Sequence, residues 1–128
     1  MMLLNKFFEI NYSEVSPDKD TAQVRIKLNQ DHEIFKGHFP ENPIVPGVCL
    51  IEMIKEILSE ILKVDLILKK ASNIKFKNLV NPQINPLIYF DFKIKKSEEN
   101  LLNVNCNLFF EEIIFCSLKG EFMPHNNL

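Results

Sequence analysis

The chain has 128 residues, a formal net charge of −2, 46% apolar residues and 25% charged ones, the size and balance of one globular domain. Arg25 is the only arginine among fifteen basic residues, and with no cationic excess to neutralise a polyphosphate backbone the composition argues against a nucleic-acid partner. No apolar run reaches membrane-spanning length, and eleven Phe beside two Tyr and no Trp give aromatic mass suited to a greasy core or an apolar pocket.

In chain order, Met1 to Ile10 is too short and interrupted for a signal peptide, which points to a cytoplasmic protein. Phe7 to Ser16 reads as a strand, with Phe8, Ile10 and Tyr12 alternating against polar residues. Thr21 to Leu28 alternates more cleanly, with Ala22, Val24, Ile26 and Leu28 on one face. The turn chemistry of Ser16-Pro17-Asp18-Lys19-Asp20 joins the two as a hairpin.

Asp31 to Pro46 reads as irregular, because Pro40, Pro43 and Pro46 forbid helix and hold the backbone extended. Gly47 to Lys63 is the one convincing helix, opened by Pro46. Its apolar residues, from Val48 to Leu62, cover more than half the circumference and predict a largely enclosed helix. Strand-like runs follow at Leu66–Phe76, Leu87–Lys95, Leu101–Phe110 and Ile113–Phe122, and residues 124–128 read as a loose tail. With no βαβ alternation, the sheet should be mainly antiparallel with the helix packed on it, an α+β domain spanning residues 1–128.

The chemistry concentrates in Gly37-His38-Phe39-Pro40-Glu41-Asn42-Pro43-Ile44-Val45-Pro46-Gly47-Val48-Cys49-Leu50-Ile51-Glu52. A neutral imidazole at His38 suits proton removal near neutral pH, although a lone loop histidine is also an ordinary polar residue. The first turn of a helix offers unpaired N–H groups, so Gly47 could stabilise an oxyanion, or could simply turn the chain. Glu52 falls on one side of the helix with Lys55, Glu56, Ser59, Glu60 and Lys63, so periodicity alone reads it equally well as part of a solvated stripe. Cys49 sits in the first helical turn but has no neighbouring base, and reads as a small buried hydrophobe. The odd cysteine count (Cys49, Cys106, Cys116) indicates reduced thiols, and no spacing suits zinc. His32 reads as loop surface, and His125 belongs to the tail.

Gly37-His38-Phe39-Pro40, Pro43, Pro46-Gly47-Val48 and Glu52, with Phe35 three residues before the histidine, resemble the signature of the 3-hydroxyacyl-acyl-carrier-protein dehydratases. Lys75-Phe76-Lys77 and Val80-Asn81-Pro82 resemble that family's strand and turn after the helix. The resemblance implies a hot-dog fold, an antiparallel sheet wrapped around a long central helix. It implies a homodimer, sometimes a hexamer built as a trimer of dimers, in which His38 of one subunit meets Glu52 of the other. It also implies an acyl chain in a tunnel lined by Phe35, Phe39 and Ile44, the thioester oxygen on Gly47, and no metal or redox cofactor. An acidic acyl carrier protein would dock on lysines such as Lys36, Lys75 and Lys77.

Three positions depart from the family pattern: Glu41 replaces Gly, Glu56 replaces Gln, and Pro82-Gln83-Ile84 replaces Pro-Gly-Asp. A like charge one turn from Glu52 should raise the pKa of one of the two, and Glu56 is expected to keep Glu52 protonated. A hot-dog thioesterase and a non-catalytic carrier-binding partner are the competing functions.

Overall fold

The computed structural model describes residues 2–37 and 41–125, so His38 and Phe39 lie outside the described residues. The elements are β1 (Phe8–Val15), β2 (Thr21–Leu28), α1 (Glu33–Gly37), α2 (Gly47–Leu62), β3 (Leu66–Phe76), β4 (Leu87–Lys96), β5 (Leu102–Phe110) and β6 (Ile113–Pro124). Six strands form one sheet in the order β1-β2-β4-β5-β6-β3, every neighbouring pair antiparallel. Strand β3 therefore returns to the far edge after α2 has crossed the sheet's inner face.

Strict alternation sets the register. Val24 lies opposite Phe90 and Ile26 opposite Ile88, while Phe90 and Phe92 face Leu108 and Cys106 on the next strand. All seven are buried, and a slip of one residue would turn each row of them out to water. Against this face α2 presents Met53, Ile54, Ile57 and Leu58, each 0% exposed. The helix ends at Lys63, whose left-handed φ of 58° lets its N–H return to the Ser59 carbonyl. The Ser59 hydroxyl then accepts the Leu66 N–H at 3.1 Å, fixing the entry into β3.

Strand β3 is irregular against β6, with register shifts between Leu68 and Lys70 and between Ala71 and Asn73. At that bulge Gly120 admits the Lys70 carbonyl oxygen to 2.8 Å from where a Cβ would stand, a space no other residue leaves.

Several expectations change. Tyr12 does not share a face with Phe8 and Ile10: a bulge between Ile10 and Tyr12 flips the phase, so Tyr12 pairs with Arg25 and is exposed. Its ring instead carries the Arg25 guanidinium at 5.9 Å. Part of the segment read as irregular forms α1, because the prolines that forbid helix begin only at Pro40. His32 is half-buried rather than loop surface, its Nδ1 accepting the Ile34 N–H at 3.1 Å and its ring meeting Phe7 edge-on. Strand β6 runs on to Pro124, opposite Leu66, and the His125 N–H donates to the Asp65 carbonyl. On α2, Val48 is 70% exposed although it was counted in the enclosed face, whereas Glu56, assigned to the solvated stripe, is only 7% exposed.

Candidate active site

The described part of the proline-spaced segment is held at Pro43 and Val45. Pro43 and Val45 are buried, and the Val45 N–H donates to the Val80 carbonyl at 2.9 Å. Around Val80 the chain is folded by Asn81, whose side-chain oxygen accepts the Gln83 N–H and whose carbonyl accepts from Ile84 and Asn85. The two stretches that carry the resemblance, separated by a whole helix and strand in sequence, are thus neighbours in space.

Pro46, extended at φ −60° and ψ 146°, starts α2, and its carbonyl takes the N–H groups of Cys49 and Leu50. Helix geometry leaves the Gly47 and Val48 N–H groups without a partner inside the helix, and among the described residues no side chain caps the end. A Cβ on Gly47 would stand 3.0 Å from the Phe76 ring, so the glycine lets the β3 terminus close over the helix start. Phe76 itself remains 54% exposed, and with Val48 and Leu79 it leaves exposed apolar surface around this corner.

Glu52 lies one to two turns inside α2. Its side chain is 19% exposed, and Lys55 Nζ stands 2.9 Å from Oε2 as an ion pair within the helix. That contact is not aligned as a hydrogen bond, so the buried Oε2 has no hydrogen-bond partner among the described residues. One turn on, Glu56 accepts the Leu3 N–H on both carboxylate oxygens, at 2.8 and 3.0 Å, and the Leu4 N–H on Oε1 at 2.8 Å. Burial pushes the Glu56 pKa up; the Leu4 amide opposes this, and Glu52, within hydrogen-bonding reach, adds to it. The expectation that one carboxyl of the pair is raised falls on Glu56.

Of the remaining expected residues, Phe35 is buried and stacked on Phe7 at 5.2 Å, which makes it core packing on the described side. Ile44 is half-buried; Lys36, Lys75 and Lys77 are exposed. Cys49 is buried, its thiol pushed up by burial and then by the Glu52 charge, so it is a packing residue rather than a nucleophile. Among the described residues no three His, Cys, Asp or Glu side chains gather to hold a metal ion. Sequence reasoning missed the burial of Glu56. The apolar Met2, Leu3 and Leu4 were its only signal, because they needed a place against the helix.

The ApeI-like family model, described as an ApeI dehydratase, matches residues 14–109. The chain belongs to the ApeI-like dehydratase family. It is also similar to the 3-hydroxyacyl-[acyl-carrier-protein] dehydratase FabZ of Lactobacillus helveticus, 30% identical over 96% of this chain and 82% of the relative. FabZ of Fusobacterium nucleatum is likewise 30% identical, over 83% of this chain and 79% of the relative. Among solved structures, the dehydratase heterocomplex ApeI:P from Xenorhabdus doucetiae superposes with a TM-score of 0.63 at 22% identity, covering 89% of this chain and 96% of that one. A hypothetical thioesterase from Streptococcus pneumoniae with coenzyme A matches at 0.63 and 10% identity, covering 91% and 84%. These two structures share the fold, a hot-dog sheet around one main helix. Within the ApeI-like frame, the elements bearing Gly47 and Glu52 are the start and second turn of that main helix.

Proposed function

We propose that this ApeI-like protein dehydrates 3-hydroxyacyl thioesters carried on acyl carrier protein to trans-2-enoyl thioesters, in the cytoplasm, during fatty acid or related acyl-chain synthesis. The observation that carries the reading is the pairing, on one helix, of a start whose Gly47 amide has no helical partner and a buried carboxylate oxygen of Glu52 that has no hydrogen-bond partner among the described residues. The FabZ relatives, named for this reaction, support it.

The C2 proton of a 3-hydroxyacyl thioester is acidic because the adjacent carbonyl can take up the charge. His38 removes that proton, and the Gly47 N–H holds the thioester oxygen as it becomes negative. As the electron pair returns to form the C2–C3 double bond, the C3–O bond breaks. A proton delivered through Glu52 lets the hydroxyl leave as water. The elimination needs no metal or redox cofactor.

His38 and Glu52 are proposed to meet across a homodimer. The open edge of β3, eleven residues long and largely exposed, supports a second copy, as does the uncovered apolar surface of Val48, Phe76 and Leu79. Three such dimers make the hexamer that is the larger form of the same reading. Lys36, Lys75 and Lys77 are proposed to steer the acidic carrier, with Lys75 and Lys77 flanking the Phe76 that covers Gly47. Phe35, Phe39 and Ile44 are proposed as tunnel lining.

The test is the fate of purified protein with 3-hydroxyacyl thioesters of several chain lengths. Enoyl thioester absorbance that disappears in His38→Ala is the expected result. Release of free thiol would mean a thioesterase, and carrier binding without turnover in the wild type would mean a binding partner.

A further inference from the structure

Glu56 is unusual in using both its oxygens on backbone amides while standing next to another carboxylate. Oε1 takes the two 2.8 Å bonds from Leu3 and Leu4, and Oε2 has only the 3.0 Å contact with Leu3. Oε2 is therefore the oxygen with capacity for a proton. Nearby, Glu52 Oε2 is buried without a hydrogen-bond donor. Lys55 Nζ stands 2.9 Å from that oxygen as an ion pair but does not align with it as a hydrogen bond. Two ionised carboxyls one turn apart repel; one proton between them turns repulsion into a hydrogen bond.

We propose that Glu56 is a positioning residue of the dehydratase site, a neutral carboxylic acid that donates its proton to Glu52 while its other oxygen clamps residues 3 and 4 onto α2. The inference rests on the dehydratase reading for its role in turnover, but not for its structure. Glutamine, the residue the related signature has here, could do the same: its carbonyl accepts from the amides and its NH2 donates to Glu52. In this chain an acid fills that role and brings a proton with it. The charged groups around Glu56 are Glu52, Lys55, Glu60 and Lys63 of α2 and Asp65 just beyond it; Met2 and Leu4, which also line this 340 Å³ hollow, are apolar. Burial, the largest cause, raises the Glu56 pKa, and the Leu4 and Leu3 amides oppose it.

The full chain labelled with 13C at glutamate carboxyls tests this. The Glu56 carboxyl should titrate clearly above the ordinary glutamate value of 4.5. Amide exchange at Leu3 and Leu4 should stay within a few-fold of wild type in Glu56→Gln, and accelerate by about tenfold or more in Glu56→Ala, where the clamp is gone. In turnover, Glu56→Gln should keep kcat within about threefold, and Glu56→Ala should lower kcat by about tenfold with KM little changed. Titration at the ordinary value, or unchanged exchange in Glu56→Ala, overturns the proposal. Equal kcat losses in the Gln and Ala variants remove the positioning role. Absence of dehydration by the wild type would sink the functional reading, while the carboxyl titration and the exchange would still decide the clamp and the shared proton.

Discussion

The two halves of α2 are built for different ends. From Met53 onward the helix is closed: Met53, Ile54, Ile57 and Leu58 are fully buried, and Lys63 and Ser59 satisfy its terminus. The first turns are open: amides at Gly47 and Val48 lack helical partners, Val48 is exposed, and Glu52 keeps a buried oxygen without a donor. On the proposed reading the second half carries most of the stability and the first the chemistry, with Glu56 reaching from the closed half to Glu52, and substitutions should separate them.

The largest effect should come from the closed side. Phe90, 1% exposed, packs on the sheet face that α2 covers, and Phe90→Ala should cost about 3–5 kcal/mol in urea unfolding. A cost below about 1 kcal/mol would mean that the sheet core is not what holds the helix. On the open side, Glu52→Gln should reduce kcat/KM at least about a hundredfold while leaving the unfolding midpoint nearly unchanged. A comparable loss of stability would dissolve the distinction between the halves.

Gly120→Ala should be destabilised by about 1–3 kcal/mol, since its Cβ would stand 2.8 Å from a backbone carbonyl that cannot rotate away. Wild-type stability in that variant would show that the β3–β6 bulge relaxes freely. The subtlest effect is the pH dependence at Glu56. Its pKa is raised in the folded state, so the stability it contributes is fully present below the unfolded glutamate value and is lost as pH rises through the raised one. Thermal melts should therefore show the wild type losing ground to Glu56→Gln as pH increases. A difference that grows in the wild type's favour would reverse the sign and place an ionised Glu56 in the native state.

Much of this was legible before any coordinates. The alternation of β2 and β4 is strict because each has one face on the core, and their boundaries are clear in the residues themselves. The order of elements implied an antiparallel sheet and one helix, and the spacing from Gly37 to Glu52 carried the family. Single-sequence periodicity failed where a local irregularity or a distant segment intervened. Tyr12 left its row because one bulge at Asn11 shifts the phase of every later residue in the strand. Glu56 looked solvated because helical spacing knows nothing of Leu3 and Leu4, more than fifty positions away. Val48 looked enclosed because an apolar residue reads the same whether its own chain or another covers it. Spacing did put Glu52 in the right helix, but its unpartnered oxygen depends on where Lys55 comes to rest.

The three cysteines have a practical consequence. All are buried, and burial raises each thiol, that of Cys116 to about 11. In the native protein they are neither accessible nor ionised, so an alkylating reagent can reach them only when the sheet opens. Their labelling rate is an internal clock for rare opening events, and it can be read without introducing a probe.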